Sequence, residues 1–258
     1  MSGGRPDPAY VEQVRAVLLS LGHTAAAAGR TAAVLWGFDL VVEPGAIEVH
    51  VAPGRTHTRM AGVVVKTRSL DQTQLVAVDG HGELRILTPL ATVLDCAASR
   101  PLREAVALAD SAMRVGAVSL DELAEAVCRR RGLAGARRLR RVLLLVDPAC
   151  ESVLESMVRV LLVQHGVGPG RSQWVLRTPG GAVLARADLA WPQALLLLEC
   201  DGRRWHDPAD ARDRDRRRDN ETARLGWRTL RVTWSDVVDR PAYVVALVRD
   251  ALAVGLAA

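Results

Sequence analysis

Residues 193–206 read QALLLLECDGRRWH, and the four leucines Leu195–Leu198 within this stretch constrain the fold more than any other segment. A short aliphatic run bounded by Trp191-Pro192 and Gly202 fits a strand buried on both faces, inside a mixed α/β (α+β) architecture. Yet Glu199, Cys200 and Asp201 follow at once, and another acid, Asp188, lies in the RADLAW segment just before. A buried strand tipped with carboxylates needs a physical reason.

If Pro192-Gln193 is the two-residue turn of a hairpin, residue positions that sum to 385 pair across it, and Asp188 stands opposite Leu197. Side chains alternate along a strand, so Leu197, Glu199 and Asp201 share a face with Asp188, and Asp188 and Glu199 become diagonal neighbours. Carboxylates gathered so closely repel one another unless protons or a cation intervene. Hard oxygen ligands beside a phosphate suit Mg²⁺ or Mn²⁺, so Asp188 and Glu199 are the candidate metal ligands. A turn longer by one residue would put Asp188 on the opposite face. The plain alternative is that Glu199 and Asp201 only carry the strand out of the core into solvent. Five positions beyond Asp201, His206 could hold or protonate a phosphate-bound water, although a lone histidine is more often a satisfied polar neighbour.

Charge narrows the partners. The chain is +5 overall, yet residues 1–150 carry 18 basic and 15 acidic groups and residues 151–258 carry 16 and 14. A nucleic-acid footprint must therefore be local. One patch fits: seven arginines and no acid fall between Arg129 and Arg141, among them Arg129, Arg130, Arg131, Arg137 and Arg138. Such a run is either a solvated face or a phosphate-contacting surface. Lys66 is the lone lysine, which GC-rich codon usage explains equally well. Four widely spaced cysteines (Cys96, Cys128, Cys150, Cys200) with no C-x-x-C pair fit reduced thiols. With no signal-peptide pattern at the start and no apolar run near ~20 residues, a cytoplasmic protein with no membrane contact is expected.

Along the chain, residues 9–36 read as helix, and Gly45 to about Thr88 reads as short strands with a hairpin turn at Asp79–Gly82. Thr88-Pro89 and Ser119 each open a helix, with a further helix from Leu102 to Gly116 between the two. Gly132 and Gly135 interrupt the arginine run. They mark a junction, so a mixed α/β domain is expected over 1–140 and a second over 147–258. From Ser152 the expected order is α-β-β-β-α-β-α: VLESMVRVLLVQHG, SQWVLRT, AVLARADLAW, ALLLLECD, a charged helix near 208–224, TLRVTW, and AYVVALVRDALAVG. The histidines His50, His57 and His81 are scattered, and nothing in 1–140 suggests catalysis.

The stretch from Glu155 through RADLAW, LLLLECDGRRWH, DRRRDNETARLGW and TLRVTW resembles the endonuclease-like domain related to the very-short-patch mismatch repair endonuclease, of the PD-(D/E)XK, or restriction-endonuclease-like, superfamily. The resemblance runs from Ser152 to the C-terminus. It implies a metal-dependent endonuclease that hydrolyses DNA phosphodiesters, with Asp188 as the metal-binding aspartate and Glu199 as the second acid. It also implies that Glu155 is the acid on the first helix, and that Trp205-His206 matches a tryptophan–histidine pair. Asp215, Arg218 and Asp219 fit a D-R-x-R-D-N signature. Asp201 stands where that superfamily usually has lysine and cannot supply its positive charge, so Arg203, Arg204, His206 or a second metal would have to substitute. Arg203, Arg204, Arg216, Arg217 and Arg218, with the 129–141 run, are the expected backbone contacts. On a helix the same run would also pair Asp with Arg at the surface.

The front half resembles the AbiEi-type antitoxin-like region, in AAVLWGFDL, IEVHVAPGR and TPLATVLDCAASRPLREAVALADSAMRVG. The expected partner is DNA, and a homodimer or a toxin–antitoxin-type protein partner stays open. Two other readings also stay open: a non-catalytic DNA-binding regulator with a degenerate nuclease fold, and a protein–protein adaptor.

Overall fold

The computed structural model describes residues 6–54, 59–69, 71, 74–77, 84–130, 132, 135–202 and 209–256, with the backbone alone at 209–215 and 256. The chain divides into two compact units, Met1–Pro148 and Ala149–Ala258, each a mixed α/β body. Among the described residues no helix is long and apolar enough to cross a membrane.

In the first unit, α1 (Pro8–Leu21) starts at Asp7, whose carboxylate accepts the Ala9 N–H, and buries Val11, Val14, Val17, Leu18 and Leu21. Residues 9–36 are not one helix. Gly22, in the left-handed region at φ +83°, ends α1, and Ala25–Ala27 form β1 before the short α2 (Gly29–Leu35) begins. Alanine prefers helix, but these three side chains are fully buried in the middle of a sheet, and small residues suit that crowded position. The sheet order is β3 (Val63–Thr67), β2 (Ile47–Val51), β1, β5 (Arg85–Leu87), β4 (Leu75–Ala77). Strands β4 and β5 pair antiparallel, and the expected Asp79–Gly82 turn between them lies outside the described residues.

Four helices follow, two of them opened by a side-chain cap. Thr88 caps α3 (Pro89–Ser99), with proline in the first turn, and a Ser119–Glu122 capping box opens α5 (Leu120–Arg129). Between them lies α4 (Leu102–Arg114), and Gly135 precedes α6 (Ala136–Leu143).

The second unit opens with α7 (Val153–Gln164), capped by Ser152, which accepts the Glu155 N–H at 3.2 Å. A four-stranded sheet follows in the order β6 (Arg171–Arg177), β7 (Val183–Trp191), β8 (Leu196–Asp201), β9 (Arg228–Thr233). Strands β6, β7 and β8 run antiparallel. Strand β9 returns parallel to β8 after α8 (Ala209–Arg224), which Gly226 follows. TLRVTW is not strand throughout, because a Thr233–Asp236 capping box makes Trp234 the first residue of a short helix, α9 (Trp234–Asp239), ahead of α10 (Pro241–Leu256). Helices α7 and α10 pack on β8, while α8 packs on β7 and β9. Leu196, Leu197 and Leu198 are among the most completely buried side chains in the protein.

The hairpin turn differs from expectation. Trp191 pairs with Leu196, so the turn comprises Pro192–Leu195, with a 3-10 segment over Pro192–Ala194 and Leu195 in the left-handed region at φ +47°. Leu195 is therefore a turn residue, 41% exposed, and only three of the four leucines belong to the buried strand. Cross-strand partners sum to 387 rather than 385, as Ala190↔Leu197 and Leu189↔Leu198 show. A shift by two keeps every side chain on its face.

Candidate active site

With that register, the position opposite Asp188 is Glu199, one step beyond the backbone pair Leu189↔Leu198. Here the ladder gives way to a side chain: Asp188 Oδ2 accepts the Cys200 N–H at 2.7 Å. The aspartate thus closes the hairpin where it opens toward the rim of the sheet, and its carboxylate orientation is fixed by backbone.

Two further groups reach Asp188 from neighbouring elements. Gln173 on β6 sits at φ +52°, an uncommon conformation for a residue with a side chain. Its flanking residues pair as Ser172↔Leu189 and Trp174↔Ala187, which sets it beside Asp188. Its Nε2 donates to Glu155 Oε2 at 2.8 Å, and its side chain also hydrogen-bonds Asp188. Glu155, buried on α7, further accepts the Glu151 N–H at 2.9 Å. The buried Gln173 Oε1 has no hydrogen-bond partner.

This crowding shifts Asp188. Burial pushes its carboxyl up to about 6, and the nearby charges of Glu155 and Glu199 push the same way, while the Cys200 N–H and Gln173 oppose the rise. Burial also holds the Cys200 thiol well above its ordinary value.

Glu199 is treated differently. It neighbours Arg231 in the parallel β8–β9 register. Arg231 Nε donates to Glu199 Oε2 at 3.1 Å, and Arg218 of α8 lies 3.2 Å from Oε1. Arg231 in turn donates to both oxygens of Asp219, at 2.8 and 2.9 Å. Arg218, expected as a phosphate contact, is therefore engaged with the second acid, whereas Arg216 and Arg217 are exposed on α8.

Among the described residues, no three or more His, Cys, Asp and Glu side chains stand close enough to hold a metal ion. Asp201 is exposed at the end of β8. The register makes neighbours of the Asp188 and Glu199 carboxylates, and Gln173, hydrogen-bonded to Asp188, carries a buried amide oxygen with no hydrogen-bond partner. Hard, anionic and partly dehydrated, this set fits a Mg²⁺-like ion held by two carboxylates, with water and phosphate completing its shell. His206, Arg203, Arg204 and Arg131 lie outside the described residues.

In the first unit, Arg129 ion-pairs with Glu125, and Arg130 is half-buried. Helix α6 buries Ala136, Leu139 and Val142 and exposes Arg137, Arg138, Arg140 and Arg141, with no acid along its length. His50 is buried 3.5 Å from Asp95, and burial holds its imidazole below the ordinary value. Nearby, Glu48 is paired with Arg100 and lies 3.7 Å from Lys66, a closed ion-pair cluster.

Sequence reading missed Gln173 and Arg231. No sequence signal marks Gln173, since its importance lies in an unusual φ. Arg231 shows only as the outward-alternating residue of a strand.

A restriction endonuclease-like family model, REase_MTES_1575, matches residues 174–252, which include Asp188, Glu199, Asp219 and Arg231 but not Glu155. Two curated Mycobacterium tuberculosis proteins, Uncharacterized protein Rv2248 (strain H37Rv) and Uncharacterized protein MT2308 (strain CDC 1551), are each 30% identical over 226 residues, 87% of this chain and 80% of theirs. A match of that length is longer than either unit, so the likeness extends over residues of both. No solved structure matches the chain.

Proposed function

Since the chain belongs to the same family as Rv2248 and carries a restriction endonuclease-like domain in its second unit, we propose that this domain is a metal-dependent endonuclease that hydrolyses DNA phosphodiesters. The observation that carries the reading is the Asp188–Glu199 pair, two acids made neighbours by hairpin register at the end of a buried strand. Mg²⁺ or Mn²⁺ bound there would polarise the phosphodiester and lower the pKa of an attacking water.

The chain's own residues divide the remaining work. The Cys200 N–H and Gln173 orient the Asp188 carboxylate, and Glu155 orients Gln173 from the buried face of α7. Exposed arginines Arg137, Arg138, Arg216 and Arg217 offer charge to the DNA backbone. Asp201, exposed at the end of β8, would act as an accessory acid, and His206 as an auxiliary proton donor. The Trp205-His206 pair and the DRRRDN segment support kinship with the very-short-patch repair endonuclease, and the front half reads as AbiEi-like.

A second reading has its own support. Two guanidinium groups already occupy Glu199, and Asp201 brings negative charge to the rim, as suits a DNA-binding regulator that does not cut.

Incubation of supercoiled plasmid with Mg²⁺ or Mn²⁺ separates the two. Nicking by the native protein that Asp188→Ala abolishes supports the enzyme. Salt-sensitive DNA binding without nicking supports the alternative, and equal nicking by both proteins rules out this site as the nuclease.

A further inference from the structure

A phosphodiester is an anion, and Asp188 and Glu199 present it with carboxylates, with Glu155 buried behind them. Unless positive charge stands among them, substrate and site repel. Two guanidinium groups, those of Arg218 and Arg231, meet the Glu199 carboxylate. Arg231 is the more rigidly placed. Its backbone is fixed in β9 beside Glu199, and both Asp219 oxygens bind one of its terminal nitrogens, while Nε faces Glu199 Oε2 at 3.1 Å. A guanidinium offers five donors in a planar fork, so one edge can stay on Asp219 while another changes partner. Its side chain is 42% exposed, so a ligand can reach it.

We propose that Arg231, oriented by Asp219, is the site's resident cation: it neutralises Glu199 in the free protein and exchanges Glu199 for a phosphodiester oxygen when DNA binds. The exchange breaks one charge-assisted hydrogen bond and forms another, and it takes one of the two guanidinium groups off Glu199, leaving Arg218 as its partner. This deepens the nuclease reading and rests on it. The plain alternative is an ion-pair network that only ties α8 to the sheet. The two differ in sign. A structural tie, once cut, weakens every property together. A resident cation, once removed, makes the carboxylate pair a better ligand for a divalent ion and a worse host for phosphate.

The test uses the full chain and Mn²⁺ alone, followed by paramagnetic resonance, alongside plasmid nicking and thermal unfolding. Arg231→Gln is expected to tighten Mn²⁺ binding by about threefold to tenfold, the scale of one partly exposed charge pair, and to slow nicking at least about tenfold. Arg231→Lys keeps the charge and is expected to retain Mn²⁺ affinity and much of the nicking. Unchanged Mn²⁺ affinity in Arg231→Gln overturns the proposal. So does a fall in Mn²⁺ affinity, nicking and melting temperature together, or equal loss of nicking in both variants. Absence of nicking by the native protein would defeat the nuclease reading instead, and the Mn²⁺ shift would still decide where Arg231 acts.

Discussion

Asp188 and Glu199 face one another across the β7–β8 hairpin, at the point where backbone pairing stops and Asp188 Oδ2 takes over the Cys200 N–H at 2.7 Å. One acid is held by backbone and desolvated, and the other is held by two arginines. That asymmetry makes the pair separable by experiment.

The raised Asp188 carboxyl costs stability at neutral pH. Its value moves from 3.8 to about 6 on folding, so between those limits the folded state holds more protons than the unfolded one. The cost is absent below the lower limit and complete above the upper. Asp188→Asn keeps an oxygen for the Cys200 N–H and removes the charge. Discounting for partial exposure, it should stabilise the protein by about 1 kcal/mol at pH 8 and by almost nothing at pH 4. Thermal melts in chelator at the two pH values check this; a pH-independent difference would contradict it.

The turn register predicts unequal effects for two leucines three positions apart. Leu198 is fully buried in β8, so Leu198→Ala should cost about 2–5 kcal/mol. Leu195 holds a left-handed conformation in the turn, so Leu195→Gly relieves backbone strain while giving up a half-exposed side chain. Its net effect should stay within about 1 kcal/mol, measured by denaturant unfolding. Comparable destabilisation at both sites would mean that Leu195 lies in the strand.

Helix α6 exposes four arginines and carries no acid along its length. Replacing Arg137, Arg138 and Arg141 with Gln should weaken DNA binding. It should also make the slope of log K against log salt shallower by about 2–3, near one for each phosphate left without its arginine. An unchanged slope in a binding titration would assign these arginines to solvation.

Much of the second unit is legible in the sequence because its signals are local. Ser152 caps, the leucine run marks a buried strand, and alternation sets the face of Asp188. The turn reads two residues shorter than it is, and the shared face survives because a shift of two restores side-chain parity. Relations that no local rule encodes stay hidden. β9 reaches β8 through α8, so no turn fixes which residue neighbours Glu199, and Arg231 emerges only from the parallel register. Ala25–Ala27 mislead for a different reason: alanine's helix preference is weak, and burial at the centre of a five-stranded sheet overrides it.

Binding of Mn²⁺ to the metal-free protein tests the central claim most directly, compared among the native chain, Asp188→Ala and Glu199→Ala. One saturable site in the native protein, abolished in Asp188→Ala and weakened at least about tenfold in Glu199→Ala, is the outcome these two carboxylates predict. A native protein that binds no Mn²⁺, or variants that bind it as well as the native chain, would contradict a shared metal site at the end of the hairpin.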